Sequence, residues 1–106
     1  MIIKPKGDYY VIKVIDSPKP DKKYRAYVKD KNEIKMIDFG QRGSMTFLDD
    51  RSEIERQNYI KRHLPSEKKL IKKLKMSPSV LSMFLLWGKS RDLNENIREL
   101  NRLLLL

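Results

Sequence analysis

An α+β fold is what this sequence predicts: a small N-terminal antiparallel sheet of about three strands packed with three or four C-terminal helices. Three observations carry that expectation. β-branched and aromatic residues alternating with charged ones occupy about residues 8–48, and apolar residues spaced three and four apart take over at about 50–104. The chain of 106 residues fits a single domain, 1–106, because a division would leave two halves too small to bury a core each.

The first strand is expected over residues 8–15, where Tyr9, Tyr10, Val11, Ile12, Val14 and Ile15 are all strand formers. Ser17-Pro18-Lys19-Pro20-Asp21 ends it, since two prolines remove ladder donors and fix φ. Over residues 23–29, Tyr24, Ala26 and Val28 alternate with Lys23, Arg25 and Lys29. Asp30-Lys31-Asn32 then makes a short connection to a third strand at 34–39, which gives a hairpin with one apolar face. Gly40 and Gly43 bracket a loop that needs unusual backbone freedom.

Helical signals follow. Asp49, Asp50 or Ser52 can cap a helix, with Ser52 and Glu55 at capping-box spacing, and this helix is expected to stop at Pro65. Ser66 is placed to cap a second, lysine-rich helix. Ser77-Pro78 starts a third, whose Val80, Leu81, Met83, Phe84, Leu85, Leu86 and Trp87 are apolar nearly all round, so it should be the most buried. Gly88 ends it, and Asp92 with Glu95 opens the last helix, where Leu93, Ile97, Leu100 and Leu104 form one stripe. The closing run Leu103–Leu106 is too apolar to sit in water, and is expected on the sheet or on another chain, which would allow self-association.

Charge sets the partner class. The chain carries 24 Lys and Arg against 14 Asp and Glu, a formal +10. The excess is densest in residues 65–78, with five cations and one acid, where Leu70, Ile71 and Leu74 share a helical face opposite Lys68, Lys69, Lys72, Lys73 and Lys75. Such a stripe either solvates a surface helix or meets a polyanion, which would release condensed counterions and relieve self-repulsion. A membrane-surface helix fits less well, because that apolar face is three residues wide and lacks aromatics. Membrane insertion is not expected either: the longest apolar run, Met83–Trp87, is far short of a span, and the N-terminal residues lack a signal-peptide core. The absence of cysteine suits a reducing compartment.

No catalytic or cofactor-binding constellation is apparent, and none is expected. His63 is the only histidine and lacks thiol or carboxylate neighbours, so it reads as ordering a helix end rather than holding a metal. Asp49, Asp50, Glu53 and Glu55 read as helix N-terminal charges, with Arg51 and Arg56 near enough to neutralise them, rather than as magnesium ligands. Gly40-Gln41-Arg42-Gly43 lacks the ending of a phosphate loop. Trp87 reads as a core anchor. The expected polyanion contacts are Lys68, Lys69, Lys72, Lys73, Lys75, Arg42 and Arg62, with Tyr24 as a ring on which a base could stack.

The order of signals across residues 22–98 adds context. Ile37-Asp38-Phe39-Gly40, the Gly43 loop, Asp50, Arg56, Tyr59–His63, and Ser82–Lys89 with Leu93 and Ile97 follow one another in that sequence. Taken together this resembles a family of short, basic, uncharacterised proteins of giant and other large DNA viruses of eukaryotes, with similar small proteins in some tailed phages. The resemblance implies a viral origin and no established activity, and places the protein in a virion or in host cytoplasm or nucleus. The expectation is a non-enzymatic, virion-associated component that bridges an acidic partner and other virion proteins. The alternative is a dedicated nucleic-acid binder contacting the phosphate backbone. An accessory subunit of a viral enzyme is a third reading without a positive signal.

Overall fold

The computed structural model describes residues 9–72 and 76–104, and side chains up to His63 and again from Met76. It is an α+β fold in which three antiparallel strands precede three helices. The strands are β1 (Tyr9–Asp16), β2 (Lys22–Asp30) and β3 (Glu33–Gln41), in the spatial order β1-β2-β3.

A β-bulge decides which side chains of β1 face where. Val11 lies opposite Val28, but Lys13 lies opposite Tyr27 and Val14 opposite Ala26, so Ile12 is the extra residue. Without it Lys13 would share the inner face with Val11, because alternation places i and i+2 together. The bulge turns Lys13 and Ile15 out and Val14 in. The inner face then carries Tyr9, Val11 and Val14, Tyr24, Ala26 and Val28, and Ile37 and Phe39, all in or against the core. Asn101 grips the outer edge of β1 here, accepting from the Val11 N–H at 2.8 Å and donating to the Val11 carbonyl at 2.9 Å. That pair of bonds covers part of an otherwise open edge.

α1 spans Glu53–Lys72. The anticipated capping box closes both ways: the Glu55 N–H donates to Ser52 Oγ at 3.1 Å, and the Ser52 N–H to Glu55 Oε1 at 3.2 Å. The expected stop at Pro65 does not occur, and Ser66 caps no second helix. One 20-residue helix runs through both. An interior proline forfeits a backbone hydrogen bond and costs roughly 3 kcal/mol, yet the strong helix formers on its far side, Glu67 to Leu70, favour continuation.

α2 (Pro78–Leu81) begins with Ser77 Oγ accepting from the Val80 N–H at 3.1 Å. It continues without a break into a π-helical segment, Ser82–Leu86, closed by the Trp87 N–H on the Ser82 carbonyl at 3.1 Å. The sequence pattern predicts an ordinary α-helix across this stretch. The widened end is held by side chains from two other elements. Asn96, buried at 3% exposure, donates to the carbonyls of Leu85 (3.0 Å) and Ser90 (2.8 Å). Arg56, 8% exposed, donates from Nε to the carbonyls of Trp87 (3.1 Å) and Gly88 (2.9 Å). Gly88 is needed for close approach: a Cβ there would lie 2.4 Å from the Phe84 carbonyl oxygen and 2.6 Å from Asn96 Cγ.

α3 (Leu93–Leu104) starts where Asp92 Oδ1 accepts from the Asn94 and Glu95 N–H groups. Glu95 does not complete the anticipated box; it accepts from Ser90 Oγ at 2.7 Å instead. Leu81, Leu85 and Leu86 with Leu100 and Leu104 press onto the inner sheet face and form the core. Leu104 is therefore buried within its own chain, Leu103 is half-buried, and Leu105 and Leu106 lie outside the described residues. No described helix is long and apolar enough to cross a membrane.

Candidate polyanion-binding face

All of this helical packing is on one side of the sheet. The other side is assembled from three cross-strand rows: Tyr10, Lys29 and Ile34; Lys13, Tyr27 and Met36; Ile15, Arg25 and Asp38. Among the described residues no element covers it, and Ile34 and Met36 are 64% and 59% exposed. Lys13 Nζ lies over the Tyr27 ring, 5.0 Å from its centre, a cation–π contact in the middle row.

Asp38 is the acid on this face, and it is fully engaged. Arg25 binds it through two donors, Nε at 2.9 Å and Nη2 at 3.2 Å, while the Ser17 hydroxyl donates at 2.9 Å and Lys19 Nζ lies at 3.4 Å. These partners, Arg25 first among them, hold its carboxyl down at about 2. One carboxylate facing two cations leaves a surplus positive charge, to which Lys13 and Lys29 add. The face is cationic, apolar and aromatic at once.

The anticipated contact residues fare differently. Tyr24 points inward, its ring centre 5.8 Å from that of Phe39, and burial raises its pKa, with Asp49 and Asp16 adding to the effect. It is core, not a stacking platform. Parity is the reason: Tyr24 shares the face of Ala26 and Val28, and the tyrosine with opposite parity is Tyr27. That signal was already present in the alternation of residues 23–29. Arg42 is exposed, but its Nη2 donates to the carbonyls of Ser17 and Lys19, both at 3.1 Å, so its geometry is committed to the β1–β2 loop. Its charge is not neutralised by those neutral acceptors. Arg62 is exposed on α1. Lys68, Lys69 and Lys72 belong to the last turns of α1, where side chains are outside the description, and Lys73 and Lys75 lie outside the described residues altogether.

The remaining candidates are structural. The Asp49 carboxylate accepts from the Thr46 N–H (2.8 Å) and hydroxyl (3.1 Å) and from Lys23 Nζ (3.1 Å). Burial opposes its ionised form, but these donors outweigh it and lower the pKa. Glu53 pairs with Arg56 and Glu55 with Arg51, each at 2.9 Å, as the charge pattern suggested. Among the described residues no group of three or more His, Cys, Asp or Glu could hold a metal ion. His63 does not mark a helix end, since α1 runs on beyond it. It stacks on Tyr59 at 4.2 Å, and Tyr59 stacks in turn on Trp87 at 4.5 Å. Gly40 and Gly43 have φ of 80° and 93°, the left-handed geometry that turn residues were expected to supply.

Over residues 12–63 the chain is similar to a family of unknown function (DUF5754). That stretch runs from the bulge of β1 to His63 in α1 and contains all three rows of the outer face apart from Tyr10. No curated protein and no solved structure gives a significant match.

Proposed function

We propose that this is a non-enzymatic binding module for an anionic partner, and that the partner is a single-stranded nucleic acid laid across the outer face of the sheet. The observation that carries this reading is the Lys13–Tyr27–Met36 row: an outward aromatic ring with an exposed lysine over one side of it, on a sheet face that no described element covers. A base has a π-face and its phosphate a negative charge, so adjacent ring and ammonium groups match one nucleotide. Ile34 and Met36 add apolar contact for unstacked bases, which a duplex keeps hidden. Arg62 and the lysines at 68, 69, 72, 73 and 75 would add to the net positive charge that draws a polyanion to the protein.

The test is binding of a fluorescent oligothymidylate as salt is raised from about 50 to 200 mM. About three phosphate contacts, from Lys13, Lys29 and the surplus charge of Arg25 and Lys19, give an expected log–log slope of roughly −2 for a single strand. Undetectable binding at the lower salt defeats the reading.

The exposed apolar residues Ile34 and Met36 also favour a second reading, a virion component whose outer sheet face meets an acidic protein surface. This fits the viral resemblance and a place in the virion or in host cytoplasm or nucleus. Quantitative protein analysis of purified particles tests it, and absence from them ends it.

A further inference from the structure

A separate cleft lies on the helical side, bounded by α1, the π-helical segment and α3, with a volume of about 230 Å³. Its apolar lining includes Ile60, Met83, Phe84 and Trp87, and Arg56, Lys89 and Arg102 stand among its polar residues with Glu99 as the acid. We infer that this cleft receives one bulky apolar side chain of an acidic peptide segment belonging to a protein partner.

Size argues first. Sites for cofactors and drug-sized ligands run to roughly 300–1,000 Å³, so this space suits a single large side chain better than a whole small molecule. Protein interfaces use such spaces for one buried anchor, and anchors bind best in walls that are already rigid. These walls are rigid for identifiable reasons. Trp87 is stacked nearly parallel on Tyr59, with 7° between the rings. Arg56 is fixed by the carbonyls of Trp87 and Gly88 and by Glu53 Oε1 at 2.9 Å.

The π-helical turn is the second observation. Such turns recur at functional sites, and this one supplies Met83 and Phe84 to the lining. Its wide end is held by Asn96 and Arg56, both of which also line the cleft. Charge selects the partner. Arg102 is paired with Glu99 and Arg56 with Glu53, so exposed Lys89, which makes no ion pair among the described residues, is the cation left to favour a carboxylate flanking the anchor. A peptide brings an apolar side chain and neighbouring carboxylates in one short stretch. The inference does not use the outer sheet face and stands apart from the proposed function.

Trp87 is the only tryptophan, so its emission reports on the cleft directly. The full-length protein is titrated with a short synthetic peptide carrying one Phe between Asp and Glu residues. The expected result is a saturable change in Trp87 emission below about 1 mM peptide. It should be lost when the Phe is replaced by Ala, and weakened about tenfold or more by Lys89→Glu, an exposed substitution that leaves the core untouched. No saturable change up to that concentration overturns the inference. So does equal binding of a peptide with Lys in place of its acids, or a response to octanoate or oligothymidylate that the acidic peptide does not compete away. Oligothymidylate binding read from a label on the oligonucleotide, in the same Lys89→Glu protein, reports separately on the sheet face.

Discussion

The two faces of the sheet are cut from the same strands and hold similar residue types, yet they do opposite things. The inner face carries two tyrosines, a phenylalanine and aliphatic residues, and is sealed under Leu81, Leu85, Leu86, Leu100 and Leu104. The outer face carries two tyrosines, two isoleucines and a methionine, with lysines set between them, and no described element covers it. Burial, not composition, decides which of the two faces builds the core. A ring under the helices is part of the core, whereas the same ring on the other side is available to a ligand.

Substitutions on the two faces should therefore separate stability from binding. The largest effect is expected from Phe39→Ala, since its side chain is wholly buried: about 3–5 kcal/mol of stability, read by denaturant unfolding. A loss below about 1 kcal/mol would mean that the inner face is not the core described. Asn96→Ala should cost about 1–3 kcal/mol, because it leaves the Leu85 carbonyl buried without its donor. Tyr27→Ala should reverse the pattern. Stability changes little, whereas affinity for oligothymidylate falls by roughly 1–3 kcal/mol, the range for loss of one stacking platform. Tyr24→Phe, on the inner face, should leave that affinity unchanged.

The smallest effect is expected from acid. The folded protein holds Asp38 at about 2, against roughly 3.9 in an unfolded chain, so between those values the unfolded state binds the extra proton. Stability from this group is complete above about pH 4 and is lost as the pH falls through about 2. Asp38→Asn should remove that part of the acid dependence, which unfolding curves at a series of pH values will show.

Much of this arrangement was legible in the sequence. Strands expected at 8–15, 23–29 and 34–39 lie at 9–16, 22–30 and 33–41, because period-two alternation with proline and glycine punctuation is a local signal. The Ser52 cap and the helix start at Ser77-Pro78 were legible for the same reason. What escaped depends on contacts between distant segments. The bulge at Ile12 reconciles the β1 pattern with its neighbour, and the π-helical turn is held by Asn96 and Arg56 from other helices. The arginines show a related effect. Arg42, Arg56 and Arg91 donate to backbone carbonyls of Ser17, Lys19, Trp87, Gly88, Phe47 and Arg51, so much of the guanidinium content braces loops. Lys13, Lys29 and the Asp38-bound Arg25 are the cations in the three rows of the outer face.

Mapping amide chemical shifts of the labelled protein during titration with oligothymidylate bears most directly on the outer face as the binding surface. The largest shifts are expected at Lys13, Arg25, Tyr27, Lys29 and Met36, with Val28 and Phe39 moving less. Shifts confined to the lysine-rich stretch at 66–75, with the strands silent, would contradict it.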